Sequence, residues 1–298
     1  MMRQNVDLSS RTSFRIGGVA RLFATPTDSQ QLQHLLLDAR GRGLPVFILG
    51  GGTNTLIHDG VYDGLVICTR ALTAISFDSE TFRLRAEAGV PLSQVIRVAI
   101  EQGAAGLEAF TGIPGTIGGA VYGNAGGAGL WIDRVVRSLE VIDAECERRW
   151  IAAEECDWRY RSSGLAQKVV ATVELQLARG VRAELRDRAR SVYDRKRATQ
   201  PLSARSAGCV FRNPGAANSV RTGESAGALI ERAGLKGIRV GGAAVSNLHA
   251  NFIVNETNAS AQNVLELVHL VQQQVRERLG VELEREIISP CPSGGWSR

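Results

Sequence analysis

"TGIPGTIGGAVYGNAGGAG", residues 111–129, packs Gly112, Gly115, Gly118, Gly119, Gly123, Gly126, Gly127 and Gly129 into one run. Apolar residues interleave throughout, so the stretch is not a flexible linker. Glycine at this density in an ordered segment is entropically costly. Such a cost is tolerated where backbone must lie against a ligand. A second cluster, Gly50, Gly51 and Gly52, lies upstream in "FILGGGTNTLI" (47–57), directly after a short apolar strand from Pro45 to Leu49. Successive glycine amides form a concave nest for a pyrophosphate where no Cβ blocks the approach. The alternative is a tight turn, and on this stretch alone both readings stay open. A Rossmann fingerprint would need glycine at Thr55, and a Walker loop would need a following GK[ST], so neither motif is present. Two separated glycine loops imply an extended, phosphate-bearing ligand of dinucleotide size.

Around these loops helices and strands alternate. Asp28 caps a helix through Leu32, Leu35, Leu36 and Ala39 that stops at Gly41. "FRLRAEA" (82–88) alternates as a half-buried strand does. Pro91 opens a helix carrying Val95, Ile96, Ala99 and Ile100, closed by Gly103. Residues 135–142 and 168–177 read as strands. A compositional shift near Pro201 marks a domain boundary. Beyond it come a short helix (224–234), a strand "ANFIVN" (250–255) and a longer helix that Ser260 caps. The class is α+β.

At 298 residues, 44% hydrophobic and 22% charged, the chain has room for about two domains with a substantial core. It contains no 18-residue apolar run, so no membrane span is expected. "MMRQNVDLSSRTSF" lacks the apolar core of a signal peptide, and a cytoplasmic location is expected. The cysteines at 68, 146, 156, 209 and 291 form no CxxC pair, which reads as reduced thiols and no metal site. The net charge of +5 is carried almost wholly by arginine, which suits phosphates and carboxylates. The densest basic run (182–200) interleaves acids and sets Leu185, Ala189 and Val192 at helical spacing. It reads as a solvated helix face rather than a nucleic-acid site.

Three further stretches carry chemistry-bearing residues. "SAGCVFRNP" (206–214) sets Cys209 among small residues, followed by Arg212 and Asn213. "WRYRSSG" (158–164) puts Tyr160 and Arg161 just before a glycine turn; alone, that is a surface pair. "GVELEREI" (280–287) offers Glu284 and Glu286, on one face if the segment is a strand; alone, those are edge glutamates.

Together these stretches resemble the UDP-N-acetylenolpyruvoylglucosamine reductase family. The resemblance runs through "TSFRIGG" (12–18), "LGGGTN" (49–54), "GLEAFTGIPGTIGGAVYGNAG" (106–126), "YRSS" (160–163) and "RATQP" (197–201). It continues in "SAGCVFRNP", "AGALIERAGLKG" (226–237), "VSNLHANFIVN" (245–255) and "LEREI" (283–287), in the family's order and approximate spacing. It implies a two-subdomain FAD-binding fold of the vanillyl-alcohol-oxidase type plus an α+β substrate-binding domain. The implied boundaries are 1–68 and 69–199 for the FAD subdomains, the second completed by 282–298, and 200–281 for the substrate domain. FAD would be held non-covalently by Gly50, Gly51, Gly52, Thr53, Asn54, Gly112, Gly115, Thr116, Gly118 and Gly119. NADPH would be the hydride donor, and Tyr160, Arg212 and Asn213 would contact a UDP-sugar.

The implied reaction, in peptidoglycan precursor synthesis, sends hydride from FAD to the vinyl carbon of an enolpyruvyl ether. Negative charge then develops beside the substrate carboxylate, and it needs a fixed cation or acid. Arg161 matches the family's arginine, and Glu286, protonated, would assist as a hydrogen-bond donor. Cys209 stands where the family's proton donor, most often serine, is found. A thiol has a pKa of about 8.5, so at neutral pH it holds its proton and is a far stronger acid than an alcohol. Gly123 replaces the family's methionine, and local flavin packing is expected to differ. The length matches the shorter subtype. Only small-molecule partners and a monomer are expected. The runner-up is another FAD-dependent oxidase of the same fold; many of those tether FAD through histidine, but His58 reads as an ordinary turn residue.

Overall fold

β1 (Arg3–Asp7) and β2 (Val19–Ala24) pair antiparallel, Arg3 opposite Phe23 and Asp7 opposite Val19. Asp28 then starts α1 (Ser29–Gly41), its carboxylate accepting from the Gln31 amide at 2.7 Å. β3 (Val46–Leu49) runs into the first glycine loop, and β4 (Val61–Cys68) follows; the sheet order is β1-β2-β4-β3. The structure is a computed structural model and describes residues 2–127, 129–215, 223–290 and 296–297, so Cys291 and part of the 282–298 segment lie outside the described residues. The chain divides into two compact units. One comprises Ala24–Gly51 and Val66–Ala198, the other Met2–Phe23, Gly52–Leu65 and Thr199–Arg298.

The first unit is built on a five-stranded antiparallel sheet. Its order is Arg148–Ala152, Val136–Ile142, Val169–Gln176, then β6 (Arg83–Glu87) and β5 (Ile75–Asp78). The alternation in "FRLRAEA" is realised in β6, where Leu84 and Ala86 are buried and Arg85 faces out. α2 (Leu92–Glu101) buries Leu92, Val95, Ile96, Ala99 and Ile100, as the apolar spacing requires. α3 (Ile117–Tyr122) is capped by Thr116, whose hydroxyl accepts from the Gly119 amide. α4 (Arg182–Thr199) buries Leu185 and Ala189 along an otherwise charged surface.

The second unit has a three-stranded antiparallel sheet (Arg239–Val240, Ala243–Val245, Ile253–Asn255) with α5 (Ala226–Arg232) and α6 (Ala261–Leu279). α6 opens on a capping box between Ser260 and Asn263, and Asp59 accepts from the Ala261 amide at 2.9 Å. Its face of Val264, Leu267, Val268, Val271 and Val275 packs in one core with Phe14, Ile16, Leu56, Val210, Leu283 and Ile287. Each such buried side chain contributes roughly 1.5–3 kcal/mol. The strand expected over 250–255 is confined to Ile253–Asn255, because Phe252 N–H turns back to the His249 carbonyl at 3.0 Å. Residues 280–287 form no continuous strand; Arg285 makes an isolated antiparallel bridge to Phe211 and Ile288 a parallel one to Thr55. No helix among the described residues is long and apolar enough to cross a membrane.

Candidate active site

In the first unit the two glycine loops touch. A Cβ on Gly51 would lie 2.7 Å from Gly115 Cα, and one on Gly50 would lie 2.9 Å from Thr116 Oγ1. Only glycine permits that approach. The amides of Gly51, Gly115 and Thr116 donate to nothing among the described residues, while the Gly115 carbonyl is engaged by the Leu92 amide at 3.0 Å. Arg70 donates to the Gly50 carbonyl at 3.1 Å and also to that of Gly51, so the carbonyls point one way and leave amides for a ligand. Gly118 serves packing: its N–H reaches the Ala88 carbonyl at 3.0 Å, and a Cβ there would collide with Ala88. Gly119 has open space around its Cβ direction apart from Thr116.

Tyr160 and Arg161 occupy the two central positions of a tight hairpin, in which Arg159 and Ser162 exchange backbone hydrogen bonds at 2.9 and 3.1 Å. Arg161 has φ +57°, a left-handed conformation that glycine or asparagine adopts at least cost. A turn chosen for stability alone would not carry arginine there. Trp131 and Tyr160 meet edge to face at 5.3 Å, and the Arg161 guanidinium carbon sits 5.8 and 5.6 Å from their ring centroids. The hairpin is tied to the end of α3 by two bonds. Ser163 Oγ donates to the Tyr122 carbonyl at 2.8 Å, and Asn124 Nδ2 to the Arg159 carbonyl at 3.1 Å.

The second unit gathers the remaining candidates. Ser13 N–H and Oγ both donate to the Gly52 carbonyl, and Oγ also reaches the Ser206 carbonyl at 2.5 Å. Asn54 donates to the Glu286 carbonyl at 3.4 Å and accepts from the Ile288 amide at 3.0 Å. Residues 209–212 lie between two partners. On one side Val210 N–H bonds the Asn251 carbonyl; on the other, Glu286 N–H bonds the Val210 carbonyl at 2.7 Å and Arg212 N–H the Glu284 carbonyl at 2.9 Å. Cys209, half-buried after Gly208 (φ +76°), is thereby held one residue along from the position opposite Glu286. The Arg212 side chain is 24% exposed, with Glu284 4.0 Å away, and its Nε is buried with no hydrogen-bond partner among the described residues. Asn213 accepts from the Ala226 amide at 3.0 Å, so it also fixes the start of α5.

Sequence reasoning passed over the residues that hold these loops: Asn124, Ser163, Asn251 and Lys196. Asn251 was visible only as part of "HANFIVN", and nothing in that string shows that its side chain is spent on distant backbone. His58 is a loop residue whose Nε2 lies 3.3 Å from Ser289 Oγ. Among the described residues no group of three or more His, Cys, Asp and Glu side chains could hold a metal ion.

Residues 20–152 match the family description "FAD binding domain", and residues 200–289 match "UDP-N-acetylenolpyruvoylglucosamine reductase, C-terminal domain". The protein is thus an FAD-dependent oxidoreductase of α+β fold, with an FAD-binding domain followed by a reductase C-terminal domain. A UDP-N-acetylenolpyruvoylglucosamine reductase of Synechococcus sp. (strain WH7803) is 41% identical over 96% of this chain and 92% of its own length. One of Moorella thermoacetica is 40% identical over 95% and 91%. The crystal structure of the Thermus caldophilus enzyme superposes with a TM-score of 0.81 at 34% identity, covering 97% of this chain and 99% of that one. The chain belongs to the UDP-N-acetylenolpyruvoylglucosamine reductase family. Its first unit fits FAD: amides with no acceptor among the described residues line two glycine loops between which no Cβ could stand.

Proposed function

We propose that the chain reduces the enolpyruvyl ether of UDP-N-acetylglucosamine to UDP-N-acetylmuramate, with NADPH as reductant, in the making of peptidoglycan precursors. FAD, held by Gly50, Gly51, Gly52, Thr53 and Asn54 and by Gly112, Gly115, Thr116, Gly118 and Gly119, would supply the hydride chemistry that links NADPH to the vinyl carbon of the substrate. Arg161 and Glu286 hold the substrate carboxylate while negative charge develops beside it; the guanidinium supplies a fixed cation, the carboxyl an O–H donor. Cys209 Sγ gives its proton to the carbon next to that carboxylate and regains one from solvent. Tyr160, Arg212 and Asn213 orient the UDP-sugar, Arg212 through an Nε that has no hydrogen-bond partner among the described residues.

The reading of residues 1–68 and 69–199, completed by 282–298, as flavin-holding and of 200–281 as substrate-holding goes with this proposal. So do a cytoplasmic location, a monomeric state and partners limited to small molecules. The observation that supports the mechanism is the bond from Glu286 N–H to the Val210 carbonyl at 2.7 Å, which holds the segments carrying two acids, Cys209 and Glu286, side by side. The test is anaerobic. The holoprotein is reduced with NADPH, the enolpyruvyl ether is added, and flavin absorbance is followed. Prompt return of the oxidised spectrum supports the reading; a flavin that stays reduced until air enters marks an oxidase instead.

A further inference from the structure

Of the 35 basic residues in the chain, only Lys168, Lys196 and Lys236 are lysines. Lys196 lies half-buried in the last turn of α4. Its Nζ donates to the Thr111 carbonyl at 2.7 Å. Its stem runs along Gly112, where an added Cβ would meet Lys196 Cδ at 3.2 Å and the Tyr193 ring at 3.5 Å. Two turns earlier the same helix holds the same loop again. Glu108, 7% exposed, accepts from the Gly106 amide at 2.6 Å and faces Arg188 at 3.6 Å. α4 therefore braces the segment that leads into Gly112–Gly119 at two points.

The two braces differ electrically. Glu108 and Arg188 neutralise each other. Lys196 has no carboxylate within ion-pair distance among the described residues, and burial pulls its pKa from 10.5 down to about 8. The other ionisable groups around it are, on α4, Arg195, Arg197, the Tyr193 phenol and Asp194, which pairs with Arg190 at 3.9 Å, with Arg182, Glu184, Arg186 and Asp187 further back, and the Glu108–Arg188 pair beside the loop. An arginine at this place would be permanently charged. In a chain that otherwise uses arginine so freely, this brace alone can give up its proton near physiological pH.

We infer that Lys196 is a positioning residue for the flavin loop: its ammonium fixes the Thr111–Gly112 peptide and puts a positive charge behind the loop, and loss of that charge weakens the hold on FAD. The inference rests on the assignment of that loop to the cofactor. Burial disfavours the ammonium while the loop is empty, and an anionic ligand offsets that cost, so protonation of Lys196 and the binding of FAD favour each other. A pyrophosphate-bearing ligand on the loop favours the ammonium form, which places the transition in the holoprotein at or above pH 8.

The experiment dilutes the holoprotein at pH values from 6.5 to 10.5 and follows flavin release by the recovery of its fluorescence. Release is expected to quicken roughly fivefold in one step at or above pH 8, as the positive charge behind the loop is lost. In Lys196→Arg the profile is expected to be flat and slow, and in Lys196→Met flat and fast. A flat profile in the unsubstituted protein overturns the inference, as does a step of equal size that survives in Lys196→Arg. If the arginine variant does not fold, Lys196→Gln makes the same comparison, with a surviving step again decisive against it. A protein that carries no flavin at any pH overturns the cofactor assignment along with the inference.

Discussion

The Asn251 carboxamide closes on the backbone of Phe211 with both of its polar atoms: Oδ1 accepts from the Phe211 N–H at 2.9 Å, and Nδ2 donates to the Phe211 carbonyl at 2.8 Å. A side chain here does the work of a neighbouring strand. Asn251 is 4% exposed and Phe211 2%, so no water replaces either bond. Phe211 lies between Cys209 and the Arg212–Asn213 pair, and the clamp sets the aim of all three.

Replacing Asn251 by leucine leaves two buried backbone groups unpaired, which costs about 2–4 kcal/mol. The midpoint of urea unfolding is expected to fall accordingly. Oxidation of the flavin by substrate is expected to slow more than its reduction by NADPH. An unchanged midpoint would remove the clamp from the account.

Cys209→Ala is expected to be reduced by NADPH at the normal rate yet to turn over the enolpyruvyl substrate at least ~100-fold more slowly, the usual worth of a placed general acid. Cys209→Ser should keep appreciable turnover, since a hydroxyl at the same place still has a proton to give. Stopped-flow absorbance separates the two half-reactions. Full turnover by the alanine variant would show that the proton comes from elsewhere.

Gly51→Ala puts a methyl group 2.7 Å from Gly115 Cα, inside van der Waals contact with backbone that cannot swing away. The two glycine loops must part, and the variant is expected to purify largely without flavin while keeping its far-UV circular dichroism. A yellow variant with the ordinary flavin-to-protein absorbance ratio would contradict this.

Lys196 also makes stability depend on pH in the protein stripped of flavin. Its pKa is about 8 in the folded chain against 10.5 for a solvated lysine, so between those values the unfolded state binds more protons. The contribution of this group to unfolding free energy therefore rises with pH from about 8 to 10.5 and is level below and above that window. Lys196→Met should lose this rise. Urea titrations of both proteins at pH 7.5 and 9.5 make the comparison, and an equal pH dependence in the two would refute it.

α1, α2 and α6 were legible because each carries its own punctuation, Asp28 before α1, Pro91 before α2 and Ser260 before α6, whereas α3 lay hidden inside the glycine run. β6 was legible from strict alternation. Residues 280–287 were not, because their pairing depends on Phe211 and Thr55, far away in the chain and silent about it. "ANFIVN" reads as a strand by composition, yet Asn251 spends its side chain on backbone 40 residues upstream, and the turn at His249 that allows this leaves no mark on the apolar pattern. Glycine density pointed to the ligand loops, but it does not separate Gly51, which lets two loops meet, from Gly118, which lets a helix sit on Ala88. Lys196 looked like one more charge on a solvated face. Its burial comes from the loop it meets, which helical spacing alone does not reveal.

The core of the second unit has a timetable. Phe14, Ile16 and Leu56 leave the ribosome early, yet the surfaces that bury them belong to α6, Leu283 and Ile287. At roughly 5–20 residues per second, those first side chains wait on the order of tens of seconds for their partners. The other unit is complete once Ala198 has been made. During synthesis the glycine loops can thus be assembled while Phe14, Ile16 and Leu56 still await the segments that cover them.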